Sequence, residues 1–100
     1  MSRKAMPKTN RPVRRRITFQ AIAAPGSNVF VAGTFNNWQP AKELCDKNND
    51  GVYTGILMLE PGTYEYKLVV NGEWRVDENN PNFVPNELGT LNSVIVVEPF

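Results

Sequence analysis

Tyr64-Glu65-Tyr66-Lys67-Leu68-Val69-Val70-Asn71-Gly72-Glu73-Trp74-Arg75-Val76 is the stretch on which the fold turns. A run rich in aromatic and β-branched side chains leads into Asn71-Gly72, the pair that most readily supplies the positive φ angles of a two-residue hairpin loop. A two-residue loop sets register, so Val70 is expected to face Glu73, Val69 to face Trp74, and Lys67 to face Val76. Side chains alternate across a strand. Tyr64, Tyr66, Leu68 and Val70 therefore share one face, while Glu65, Lys67 and Val69 share the other with Trp74 and Val76. The first face is the more apolar and is assigned to the core. Trp74 then lies on the outer face, with Lys67 as a diagonal neighbour at roughly 7–8 Å.

Outward from the hairpin the same period-two signal recurs. Residues 15–23 alternate, with Ile17, Phe19, Ala21 and Ala23 on one side and Thr18 and Gln20 on the other. Residues 28–33 form a short buried strand around Val29, Phe30, Val31 and Ala32. A brief strand at 42–45, a longer one at Val52–Leu59, and a last one at 93–98 complete the set. Turn chemistry separates them at Ala24-Pro25-Gly26-Ser27, in the polar run 46–51, and at Glu60-Pro61-Gly62-Thr63. No window long enough for a helix carries a 3.6-residue period. The pattern specifies an all-β chain, an antiparallel immunoglobulin-like β-sandwich of about seven short strands. Residues 77–92 are assigned to a long polar loop, and loops of that length in compact domains are usually functional or disordered.

One hundred residues with 41% hydrophobic content make one domain with a real core. No apolar run approaches the ~18 residues of a membrane-spanning helix, and the basic N-terminus has no apolar segment behind it, so it does not read as a secretory signal. The formal net charge of +1 hides an asymmetry. Arg3, Lys4, Lys8, Arg11, Arg14, Arg15 and Arg16 stand together without an acid, whereas the rest of the chain sets four basic residues against ten carboxylates. Residues 1–14 read as a basic, disordered N-terminal arm on a sandwich spanning 15–100. Such an arm is either a solvated extension lying against its own acidic domain or a contact for an anionic partner. Within the fold, basic residues are not interleaved with aromatics, which argues against nucleic acid.

Histidine is absent, which excludes a Cys–His nucleophile and a His-ligated metal. The single Cys45 has no internal disulfide partner and reads as a small core residue, consistent with a reducing, cytoplasmic setting. Asp46-Lys47-Asn48-Asn49-Asp50-Gly51 opens like a calcium loop, but its twelfth position is Leu57, where an EF-hand needs a bidentate Glu. The acids lie mostly in turns, and so small a sandwich offers no deep cleft to raise a carboxyl pKa. No catalytic residue, metal or cofactor is expected.

Trp38 closes the polar stretch Gly33-Thr34-Phe35-Asn36-Asn37-Trp38, and Trp74 follows Asn71-Gly72. Both indoles stand at strand ends among amides and charges, where a core gains little from them. Flat aromatic faces at the rim of a rigid scaffold suit sugar rings or nucleobases. For Trp74 the alternative is a surface cross-strand pair in which Lys67 merely covers the indole.

Gly33-Thr34-Phe35-Asn36-Asn37-Trp38, Pro61-Gly62-Thr63-Tyr64-Glu65-Tyr66-Lys67, Asn71-Gly72-Glu73-Trp74 and Leu88-Gly89-Thr90-Leu91-Asn92 occur in order. Together they resemble the glycogen-binding domain of the AMP-activated protein kinase β subunit and the related N-terminal modules of glycogen branching and debranching enzymes. The resemblance extends over about residues 15–98. It implies non-catalytic binding of an α-1,4-glucan, glycogen or starch-like. It also implies that Trp38 and Trp74 stack on glucose rings, that Lys67 hydrogen-bonds sugar hydroxyls, that Leu88 is wrapped by the curved glucan, and that Thr90 and Asn92 contact hydroxyls. The implied partners are an α-glucan polysaccharide or oligosaccharide and a glycogen- or starch-metabolising enzyme or kinase. The chain departs from the pattern at Glu78, where relatives often place proline, and the basic arm has no counterpart. A rival reading keeps the sandwich as a protein-interaction scaffold that regulates or targets a partner enzyme. Trp38, Trp74 and Lys67 acting on one ligand would separate the two. Leu88 is open as well, since it either projects between the indoles or folds back to cap the sandwich.

Overall fold

The computed structural model describes residues 13–99, and the arm expected at 1–14 therefore falls almost wholly outside the described residues. Eight strands follow in order: β1 (Arg15–Ile22), β2 (Val29–Gly33), β3 (Lys42–Leu44), β4 (Val52–Leu59), β5 (Gly62–Val70), β6 (Glu73–Arg75), β7 (Phe83–Pro85) and β8 (Leu91–Val97). β1 and β4 form one sheet; the other runs β3-β2-β5-β8-β7, with β6 added to the end of β5. Every pairing is antiparallel. This is the immunoglobulin-like sandwich that the alternating pattern specifies.

The core lies between the two sheets. β1 and β4 contribute Phe19, Ala21, Tyr53 and Leu59, and the larger sheet answers with Val29, Val31, Leu44, Tyr66, Leu68, Val70 and Val97. Phe19 and Tyr66 meet edge-on across the interface, with ring centroids 5.0 Å apart and planes at 74°, a preferred aromatic geometry. The Tyr53 hydroxyl donates to the Ala24 carbonyl at 2.8 Å and accepts from the Ser27 amide at 2.9 Å, which pins the β1–β2 turn.

The hairpin has the predicted register at Val70↔Glu73 and Val69↔Trp74. Asn71 and Gly72 take φ angles of 52° and 83°, the left-handed pair such a loop needs. The pairing ends at Leu68↔Arg75, so Lys67 does not face Val76 within it. The chain leaves the sheet there to bury Asp77, whose carboxylate accepts from the Tyr66 hydroxyl at 2.7 Å and whose amide donates to Ser93 Oγ at 2.7 Å. Burial, reinforced by that carboxylate, holds the Tyr66 phenol well above the usual tyrosine range. Asn80 Nδ2 donates to the Tyr66 hydroxyl and to the Val94 carbonyl, so the polar segment after Trp74 is anchored to the sheet.

Two expectations need correction. The 77–92 segment is not loop throughout, because Phe83–Pro85 pairs with the start of β8. Three residues ending in proline are too short to show an alternating period, and only the partner strand reveals them. Cys45 is exposed rather than core. Leu44 takes the inward position, and alternation turns the next side chain outward while the Cys45 backbone bridges to Thr54. The polar Asp46 turn is closed by its own side chain: Asp46 Oδ1 accepts from the Asp50 amide at 3.0 Å and Oδ2 from the Gly51 amide at 2.9 Å.

Candidate functional site

Three segments distant in sequence meet on the outer face of the larger sheet. The β5–β6 hairpin presents Glu65, Lys67 and Trp74, the turn after β2 presents Trp38, and the loop between β7 and β8, with the start of β8, presents Leu88, Thr90 and Asn92. All of the residues named from the sequence line one open groove of about 700 Å³.

Trp38 is placed by a tightly bonded turn. Gly33 ends β2 where a Cβ would lie 2.5 Å from the Glu65 carbonyl oxygen and 2.8 Å from Tyr66 Cβ, so any larger residue would push β2 from β5. The Gly33 amide donates to Asn36 Oδ1 at 2.9 Å, Asn36 Nδ2 donates to the Val31 carbonyl at 3.3 Å, and Thr34 Oγ1 accepts from the Glu65 amide at 3.2 Å. The Trp38 amide then closes on the Gly33 carbonyl at 2.9 Å. Asn37 and Trp38 both adopt left-handed backbone, with φ of 57° and 60°. For so bulky a residue as Trp38 that conformation is an outlier, and such strain is characteristic of ligand-holding positions.

Trp74 is 45% exposed. Val69 points to the same outer face yet is 5% exposed, flanked by its pairing partners Phe30 and Trp74. The indole therefore covers Val69 with part of its surface and offers the remainder to the groove.

The polar strip between the indoles is a connected network. Lys67 Nζ donates to Thr90 Oγ1 at 2.8 Å. Asn86 Nδ2 donates to Thr90 Oγ1 at 2.7 Å and to Asn92 Oδ1 at 2.9 Å, and Asn92 Nδ2 donates to Glu65 Oε1 at 2.9 Å. Thr90 is exposed, whereas Asn92 is only 6% exposed and forms the floor. Leu88 stands at the loop tip, 88% exposed, so it projects and does not cap the sandwich.

Thr34, Glu65, Asn86 and Glu87 line the groove without being among the site residues named from the sequence. Glu65 carried a signal, since alternation put it on the face of Lys67 and Trp74. Asn86 carried a weaker one, as an Asn opening the Asn86-Glu87-Leu88-Gly89 turn. One lysine against two carboxylates leaves the surface net acidic, which suits a neutral polyhydroxyl ligand better than a polyanion. Among the described residues no cluster of His, Cys, Asp or Glu could hold a metal ion, and no helix is long and apolar enough to cross a membrane.

A family profile described as the glycogen recognition site of AMP-activated protein kinase matches residues 16–100. The 5'-AMP-activated protein kinase subunit beta-2 of Mus musculus is 40% identical over 73 residues, 73% of this chain and 26% of the relative. Subunit beta-1 of Rattus norvegicus is 34% identical over 87 residues, 87% of this chain and 31% of the relative; that of Bos taurus is 36% identical over the same length. The chain thus spans between about a quarter and a third of the length of these relatives.

Proposed function

This chain belongs to the family of glycogen recognition sites of AMP-activated protein kinase, and we propose that its groove binds α-1,4-glucan, glycogen or starch-like, without catalysing a reaction. The observation that carries this reading is the convergence of two indoles, a projecting leucine and a hydroxyl-reading polar strip on one groove. Trp38 and Trp74 stack on the C–H faces of glucose rings. Lys67 and Thr90 donate to sugar oxygens, Glu65 and Glu87 accept from sugar hydroxyls, and Asn92 acts from the floor. Leu88 enters the concave side of the curved chain. Binding is modest in strength, because an open groove leaves much of the ligand wet and orders flexible glycosidic torsions.

A purely binding role is supported by the state of the carboxylates. Glu65 is engaged with Asn92, and the open groove gives no buried acid–base pair of the kind glycoside hydrolysis uses. The module comprises residues 15–100, with residues 1–14 as a separate basic arm. The relatives are named as subunits of a protein kinase; by extension this module works in the cytoplasm beside a kinase or a glycogen- or starch-metabolising enzyme.

Retention on amylose resin tests the proposal. The wild-type chain is retained on amylose and not on cellulose, and Trp38→Ala and Trp74→Ala each reduce retention. A wild-type chain that passes through amylose unretarded would overturn glucan binding and leave the protein-interaction scaffold as the reading of the same sandwich.

A further inference from the structure

We propose that Asn86 is a positioning residue with two separable roles: it pins the projecting Leu88 loop before ligand arrives, and it commits the Thr90 hydroxyl to act as a donor toward the ligand. The second role rests on the groove being an α-glucan site; the first does not.

The polarity follows from groups whose roles are fixed by chemistry. Asn86 Oδ1 faces two backbone amides, those of Leu88 at 2.9 Å and Thr90 at 3.1 Å. An N–H can only donate, so the atom it meets must be the amide oxygen, which sets the orientation of the Asn86 side chain. Its nitrogen then donates both hydrogens, one to Thr90 Oγ1 and one to Asn92 Oδ1. All four hydrogen-bonding positions of the amide are used. Asn92 is oriented in turn, with its oxygen toward Asn86 and its nitrogen toward the acceptor-only carboxylate of Glu65.

Thr90 receives the consequence. Lys67 is an ammonium and can only donate, so Thr90 Oγ1 accepts from Nζ as well as from Asn86 Nδ2. A hydroxyl has two acceptor positions and one proton. Both acceptor positions are occupied, and among the described residues no hydrogen bond uses the Thr90 proton. Because Thr90 is exposed on the groove, that proton is directed to whatever binds there, and it selects a ligand oxygen that can accept. The Asn86 backbone also closes the loop: its N–H donates to the Thr90 carbonyl at 2.9 Å, and its carbonyl accepts from the Gly89 amide at 3.2 Å. Leu88, with no packing of its own, is held out by these bonds.

Two substitutions separate the roles. Asn86→Ala removes all four side-chain bonds. Asn86→Asp keeps an oxygen for the Leu88 and Thr90 amides but places an acceptor opposite both Thr90 Oγ1 and Asn92 Oδ1, so the Thr90 proton turns inward to the new carboxylate and the bond to Asn92 is lost. Amide hydrogen exchange on the free protein reads the first role without any ligand. Protection at Leu88 and Thr90 should fall by about tenfold or more in Asn86→Ala and stay within about threefold of wild type in Asn86→Asp. Titration with β-cyclodextrin reads the second role. Affinity should fall by about tenfold in Asn86→Ala and by at least about threefold in Asn86→Asp, and the Asn86→Asp effect should be markedly smaller in a Thr90→Val background.

Unchanged exchange in Asn86→Ala would overturn the pinning role. Wild-type affinity in Asn86→Asp, or an effect of undiminished size without the Thr90 hydroxyl, would overturn the polarity role. If Asn86→Ala fails to fold, Asn86→Gln, which carries the amide oxygen away from the Leu88 and Thr90 amides, takes its place: lost protection supports the pinning and unchanged protection overturns it. If the wild type does not bind β-cyclodextrin while exchange behaves as expected, the glucan reading and the polarity role fall and the pinned loop stands.

Discussion

Replacing Trp74 by alanine separates a ligand platform from a core residue more sharply than any other single change. A tryptophan presents roughly 200 Å² when uncovered. At 45% exposure Trp74 offers the groove about 90 Å² of that surface. A sugar covering one ring face takes roughly half of it, worth about 1 kcal/mol at ~25 cal/mol per Å². Stacking geometry adds about 0.5–1.5 kcal/mol. Trp74→Ala should therefore weaken binding of a linear maltooligosaccharide by about 2 kcal/mol, roughly thirtyfold in Kd, and by no less than about 1 kcal/mol. The covered part of the ring contributes at most about 2.5 kcal/mol to the fold, against a typical total of about 5–15 kcal/mol. The edge position in the three-residue strand β6 limits the damage further. The variant should thus melt lower yet remain folded at 25 °C. Isothermal titration gives the affinity and circular dichroism the fold. An affinity within about twofold of wild type would refute the stacking role; loss of the β signal at 25 °C would mean that a core residue had been taken for a ligand residue.

Leu88→Ala should narrow the preference for cyclic α-glucans over cello-oligosaccharides of equal length, with a melting temperature within about 3 °C of wild type because the side chain is 88% exposed; equal binding of both sugars by the wild type would sink the shape argument. Tyr66→Phe should cost about 1–3 kcal/mol, seen as a melting temperature lower by roughly 5–20 °C, because it leaves the Asp77 carboxylate and Asn80 each short of a buried partner. The raised pKa of Tyr66 gives the pH dependence a definite sign. The neutral phenol is the bonded form, so its contribution is full below the unfolded-state value near 10 and is lost as pH rises toward the folded-state value. Absorbance titration should show this tyrosine ionising only with alkaline unfolding, a step that Tyr66→Phe abolishes. Removing residues 1–14 should leave glucan affinity unchanged and stability within about 1 kcal/mol, since Arg14 meets Glu60 only at 3.9 Å on the exposed surface; a glucan affinity that falls on deletion would give the arm a role at the groove.

Local rules made much of this protein legible from its residues alone. Alternation identified the inward faces of β1 and β5, and Asn71-Gly72 carried the hairpin register and with it the outward placement of Lys67 and Trp74. The same reasoning marked Trp38 as a turn residue, and family resemblance added Leu88, Thr90 and Asn92. What the tertiary structure alone decided depends on groups far apart in the chain. β7 is a strand because β8 lies beside it, not because three residues ending in proline prefer to be extended. Cys45 faces outward because Leu44 takes the inward place opposite β1 and β4. Alternation put Glu65 on the face of Lys67, but its bond to Asn92, 27 residues away, came only with the fold. The polarity of Thr90 depends on Lys67 and Asn86 arriving from different segments. Periodicity and turn chemistry act over a few neighbouring residues and can be read along a sequence. The direction of a hydrogen bond between distant side chains is set only once the chain has brought donor and acceptor together.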